Sequence, residues 1–158
     1  MTEFSVRRAR TTDVPAIQAL IEPLVQSRVL LGKDRVVFYE AVQEFRVAET
    51  PGGDLIGCGA LHVLWEDLGE VRTLAVAGDW RGRGVGHGIL NRLEADAAEL
   101  GLSRLFCLTF ETGFFGRNGY LEIGDEGLVA PEVYAELVRS PVRVVDEAAA
   151  RIVDGQHI

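Results

Sequence analysis

Apolar residues along this chain change their spacing several times, and each change marks an element. "FSVRRAR", residues 4–10, alternates weakly and predicts a short first strand. "TTDVPAIQALIEPLVQS" then carries Val14, Ile17, Leu20, Ile21 and Leu24 at helical spacing, with cap chemistry from Thr11 to Asp13. "KDRVVFYEAVQ", residues 33–43, predicts a second helix. "FRVAET", "LIGCGALHVLWE" and "GEVRTLAVA" predict three successive strands, separated by the turns "TPGGD" and "EDLG". A helix is expected from Val85 to Leu100, with Gly101 as its C-terminal stop. "RLFCLTF" has the near-continuous apolar run of a strand buried on both faces. "TGFFGRNGY" suits a brief helix and turn, strand material follows Gly119, and "EVYAELVRS" after Pro131 suits a short helix. Beyond Pro141 the tail is only weakly patterned.

The order is strand, two helices, a three-strand meander, helix, strand, helix. It predicts an α/β fold with one strand–loop–helix crossover, from Glu70–Ala77 to Arg104–Phe110, in a single domain over residues 1–158.

At the centre of that crossover stands "RGRGVGHGIL", with glycines at 82, 84, 86 and 88 just where a helix must begin. The first amides of a helix are unpaired, and its dipole makes that end electropositive. Glycines there remove side chains that would hold a bulky anion away, and Arg81 and Arg83 add charge. A pyrophosphate is the natural guest. A dinucleotide-binding loop would read G-x-G-x-x-G, and a P-loop would need Gly-Lys-Ser/Thr; neither spacing is present.

Charge narrows the partner. Sixteen Lys and Arg against twenty-four Asp and Glu give a net charge of −8, which argues against nucleic acid. No apolar run reaches the length of a membrane span, and "MTEFSVRRAR" has no signal-peptide core. Cys58 and Cys107 lie in apolar strand-like runs and suit buried free thiols. No metal-ligand spacing appears among the three histidines, so no metal is expected. A soluble, cytoplasmic protein is the expectation.

The stretch "LAVAGDWRGRGVGHGIL" resembles the acetyl-CoA signature of the GNAT N-acetyltransferase superfamily, Arg/Gln-x-x-Gly-x-Gly/Ala after a strand. Arg81, Gly84 and Gly86 fill its three defining positions. "FFGRNGY" follows in the superfamily's order. The resemblance implies a GNAT-type mixed central sheet, an antiparallel meander plus a parallel, splayed strand pair, flanked by helices. It implies acetyl-CoA as co-substrate. The amides of Gly82, Arg83, Gly84, Val85, Gly86 and His87 would clasp the pyrophosphate, and the main chain of Leu74, Ala75 and Val76 would pair with the pantetheine arm.

"VRRARTTDVPAIQALIEPL", "VLLGKD", "GALHVL", "LGEVRTLAV" and "LFCLTFET" are also similar to the acetyltransferase domain of bacterial N-acetylglutamate synthases, over about residues 6–138. Those enzymes open arginine biosynthesis. The chain resembles the short, stand-alone form found in actinobacteria, so no amino-acid-kinase-like domain is expected in front of it. Arginine control, which the longer enzymes associate with that extra domain, is left open.

Acetyl transfer to an amine needs a base for the ammonium proton and donors for the tetrahedral oxyanion. The synthases place a general base at the "GE" position, which is Glu70. Their hydroxyl after the "LT" strand corresponds to Thr112, a candidate acid. Many GNAT enzymes use instead a tyrosine four residues before the closing glycine, where this chain has Phe115. Arg72 lies two residues from Glu70, on the same strand face if no bulge intervenes, and is a candidate carboxylate partner. Lys33 matches a basic substrate-binding position of the synthases. The ordinary alternatives are a strand-edge acid, a cap threonine and surface ion pairs.

The substrate expected is a small amino acid, glutamate or glutamine, acetylated on its α-amine. Two other readings stay open: a GNAT enzyme for a protein N-terminus, polyamine or other amine, which the acidic surface would suit, and a non-catalytic CoA-binding sensor. A homodimer is compatible with the sequence, which does not decide oligomeric state.

Overall fold

The computed structural model describes residues 3–26, 34–109, 112–123 and 151–155. Two compact units divide the chain, one of Met1–His62 with Val71–Asp96, the other of Val63–Glu70 with Ala97–Ile158. Two long strands, β3 (Leu55–Trp65) and β4 (Leu68–Val76), contribute residues to both.

In the first unit β1 (Ser5–Arg8) pairs antiparallel with β2 (Phe45–Glu49), and β2 pairs antiparallel with β3. Helix α1 (Val14–Gln26) buries Val14, Ile17 and Ile21, three of the five apolar positions at helical spacing. They join Phe38 of α2 (Arg35–Glu40), Phe45, Val47, Cys58, Ala60 and Ala75 in one apolar core. The second helix is shorter than its pattern suggests. It stops at Glu40, and Val42–Glu44 tighten into a 3-10 turn that feeds β2. Nor is α1 capped as expected: Thr11–Asp13 form a 3-10 turn, and the Asp13 carboxylate reaches back to the Arg10 amide at 2.7 Å. That carboxylate also takes two hydrogen bonds from Arg7, which donates to Glu49 as well. The hydrogen bonds from Arg7 hold both carboxyls below their usual range.

Helix α3 (Val85–Leu100) has the bounds its sequence predicts and ends at Gly101, whose φ of 91° is a left-handed turn. It packs Val85, Ile89 and Leu93, four residues apart, against β3. Glycines make this possible. A Cβ on Gly57 would stand 2.8 Å from both Ile89 Cδ1 and Val85 Cγ1, and one on Gly59 would stand 2.9 Å from Ile89 Cγ2. A largely buried ion pair ties the C-terminal half of α3 to β2, with Arg46 Nε and Nη2 donating to Asp96 at 2.7 and 2.6 Å.

In the second unit the start of β4 runs parallel to β5 (Arg104–Thr109), with Glu70 opposite Phe106. This is the predicted crossover. Leu105, Phe106 and Cys107 are buried in succession, as a strand covered on both faces requires. After α4 (Thr112–Arg117) comes β6 (Tyr120–Ile123). The weakly patterned tail also supplies a strand. Arg151–Gly155 form β7, antiparallel to both β5 and β6 and lying between them. Five residues carry too little periodicity to announce a strand, and here its neighbours supply the ladder on both edges. The helix expected after Pro131 lies outside the described residues.

Candidate active site

β4 ends at Val76, and the chain turns through a 3-10 turn, Gly78–Trp80, before α3 begins. The Ala77 amide holds the strand end to Ile56 O at 2.8 Å, and Trp80 N closes the turn on Ala77 O. Gly82 and Gly84 follow with φ of 77° and 83°, and nothing stands within 4 Å of where a Cβ would sit on either. These two glycines are therefore conformational: an L side chain there is strained even though there is room for it. Gly88 has another cause. A Cβ there would approach the Phe4 ring at 3.2 Å, so the residue makes room for packing. Three of the four alternating glycines thus divide by role, a distinction their spacing alone does not carry.

The first helical bond is Gly88 N to Gly84 O, 2.9 Å. The amides of Val85, Gly86 and His87 precede it and point out of the helix start. Arg81 and Arg83 are exposed on the same loop. The Arg83 guanidinium carbon lies 4.7 Å from the centre of the Trp80 ring. The His87 side chain meets Asn91 at 3.0 Å. The first unit therefore brings together every residue expected at the pyrophosphate, and Leu74–Val76 lead directly into it.

One residue of β4 breaks the extended strand. Thr73 has φ 54°, rare for any residue with a Cβ and rarer for a β-branched one. Its carbonyl accepts from the Cys58 thiol at 3.5 Å. Burial pushes that thiol up to about 12, against a smaller pull from an Ala75 backbone hydrogen bond, so it stays a protonated donor. Nothing in the sequence marks this kink. It falls after Arg72, so it does not interrupt the stretch from Glu70 to Arg72.

Glu70 belongs to the second unit and is buried, 7% exposed, an uncommon state for a carboxylate. It stands near Cys107, whose thiol is pushed well up by burial first and then by the negative charge of Glu70. Arg72, in the first unit, is half-buried. Thr112 is the first residue of α4. Phe115 is buried and meets the Tyr120 ring edge-on, 5.3 Å between centres, so both aromatics at the Gly119 close pack. Lys33 lies outside the described residues.

A strand running into a glycine loop and a helix N-terminus is the arrangement of one acyltransferase class. Residues 22–120 match the model of the acetyltransferase (GNAT) family, and the chain belongs to that family. It is an acetyl-CoA-dependent N-acetyltransferase.

The chain is 55% identical over 138 residues, 85% of this chain and 78% of the relative, to an amino-acid acetyltransferase of Mycobacterium tuberculosis. The crystal structure of Rv2747 from Mycobacterium tuberculosis, in complex with CoA and NLQ, superposes with a TM-score of 0.88 at 44% identity, covering 98% of this chain and 99% of that one. The N-acetylglutamate synthase of Neisseria gonorrhoeae, complexed with coenzyme A and N-acetyl-glutamate, gives a TM-score of 0.83 at 28% identity. This chain is covered completely there but spans 36% of that longer protein.

Proposed function

We propose that this acetyltransferase acetylates the α-amine of L-glutamate or L-glutamine, the opening step of arginine biosynthesis. The observation that carries the reading is a buried carboxylate, Glu70, on the strand that leads into the CoA loop of a chain 55% identical to an amino-acid acetyltransferase. A domain that only bound CoA has no need of a carboxylate at that point of the strand, since its phosphates are met by amides and cations.

The loop amides of residues 82–87 hold the pyrophosphate, and the β4 main chain at Leu74–Val76 aligns the pantetheine. Glu70 removes a proton from the substrate ammonium, directly or through a water. The amine attacks the thioester carbonyl, strand amides stabilise the oxyanion, and the CoA thiolate departs. Thr112, which corresponds to the hydroxyl the synthases carry after the "LT" strand, is the donor to that sulfur. A thiolate leaves readily, so this donor adds less than the base. Arg72 and Lys33 are the cations for the substrate's carboxylates.

Acetyl-CoA consumption measured across free amino acids, polyamines and short peptides tests the assignment. Glutamate or glutamine should stand far above the rest. Preference for a polyamine or a peptide N-terminus would overturn it, and the net charge of −8 makes a cationic substrate the competitor to include.

A further inference from the structure

We propose that Trp80 is a positioning residue for the co-substrate: its ring holds the Arg83 guanidinium over the glycine loop, so that the loop offers CoA's phosphates a fixed cation as well as amides. The inference rests on the reading of residues 82–87 as the CoA loop.

Arg83 sits between Gly82 and Gly84, the two left-handed glycines of this loop. Flanking backbone this permissive leaves a long side chain free to sweep through solvent, which dilutes its charge over a wide volume. Trp80 counters this. Its backbone is fixed by the closed turn to Ala77, and its half-buried indole lies under Arg83 at 4.7 Å. The stack uses the face of the guanidinium. Its N–H donors radiate from the edge, so they stay available to phosphate oxygens while the group is held. Arg83 makes no ion pair or hydrogen bond among the described residues, although the protein carries twenty-four acids. A cation stacked on an aromatic ring, without an acidic partner among the described residues and set two residues before the first helical amides, is suited to a ligand that brings its own negative charge.

The position predicts a particular dependence: Trp80 matters only through Arg83. Calorimetric titration of CoA into wild type, Arg83→Gln, Trp80→Leu, Trp80→Phe and the Trp80→Leu/Arg83→Gln pair reads it out. Arg83→Gln should weaken CoA about tenfold, the scale of a charge-assisted contact. Trp80→Leu should weaken it about two- to fivefold, the scale of an exposed cation–π stack, and Trp80→Phe should recover part of that loss. The double variant should bind no worse than Arg83→Gln alone. Dephospho-CoA assigns the phosphate: a penalty confined to CoA places Arg83 on the 3′-phosphate, and an equal penalty places it on the pyrophosphate. S-acetylpantetheine, which has no phosphate, should show no penalty from either substitution. Additive losses, a silent Arg83→Gln, or equal losses with S-acetylpantetheine would overturn the proposal. Wild-type binding and its loss in Gly84→Val separate this from failure of the loop assignment. If those hold while Trp80 and Arg83 are silent, only the positioning role falls.

Discussion

Helix α3 can place its first amides at the end of β4 only because β3 is bare where the helix crosses it, and Gly57→Ala tests that dependence. The added Cβ would lie 2.8 Å from Ile89 Cδ1, 2.8 Å from Val85 Cγ1 and 3.3 Å from Ala75 O. A relaxed carbon–carbon contact is about 3.5 Å or more, so the helix or its side chains must retreat by about 0.7 Å. Ile89 can turn its terminal methyl aside. Val85 cannot, because its branch is at Cβ and its χ1 is stiff. Overpacking of this kind costs about 1–3 kcal/mol. Gly57 does not have a positive φ, so alanine also recovers about 0.4–1 kcal/mol by restricting the unfolded chain. The net loss is about 1–2 kcal/mol, or about 2–8 °C in Tm for a chain of this size. Because Val85 is the first residue of α3, CoA affinity should fall along with stability. Thermal melts and calorimetry with CoA measure the two. In a double-mutant cycle, Val85→Ala should relieve part of the strain introduced by Gly57→Ala, giving a favourable coupling. A Gly57→Ala variant that melts at or above wild type and binds CoA unchanged would refute the packing account of how the helix is placed.

Glu70→Gln should lower kcat by about 100- to 10,000-fold while CoA binding survives, with the rate recovering as pH rises and solvent deprotonates the substrate; a wild-type kcat at neutral pH would assign the base elsewhere. Arg72→Lys should raise KM for the amino acid and leave KM for acetyl-CoA unchanged, since lysine cannot form the two parallel hydrogen bonds arginine gives a carboxylate; a penalty in the acetyl-CoA KM would move Arg72 out of the substrate site. Asp96→Asn leaves Arg46 buried without a counter-charge and should destabilise by about 3 kcal/mol in urea melts, whereas Arg46→Met with Asp96→Leu should recover most of it. For Asp13 and Glu49, folded carboxyls held below their unfolded values stabilise the protein above those unfolded values, and the contribution is lost as pH falls through the folded ones. Arg7→Leu should therefore flatten the loss of stability on acidification, and an unchanged acid limb would remove Arg7 as its cause.

What the sequence made legible, and what it did not, follows from how far each feature depends on distant contacts. The α3 boundaries could be read because three local signals agree there: glycines before it, apolar residues four apart within it, and Gly101 at its end. The candidate CoA loop is legible for the same reason, since backbone freedom and charge are both written into residues 81–88. The strand β7 is not, because its pairing with β5 and β6 depends on residues about 30 to 50 positions earlier in the chain. Gly57 and Gly59 read as ordinary strand residues, and their purpose appears only with Val85 and Ile89 lying over them. Thr73 is the extreme case. Its residue type favours extended strand, so local preference gives the wrong sign, and the kink persists because the surrounding structure over-determines it. A buried, protonated thiol supplies one of those determinants, donating to the carbonyl that the kink turns toward it. The misread position lies on β4 between Arg72 and Leu74, among the residues assigned to substrate and pantetheine. Local preference fails here because contacts from a neighbouring strand, not the residue's own type, fix the backbone at Thr73.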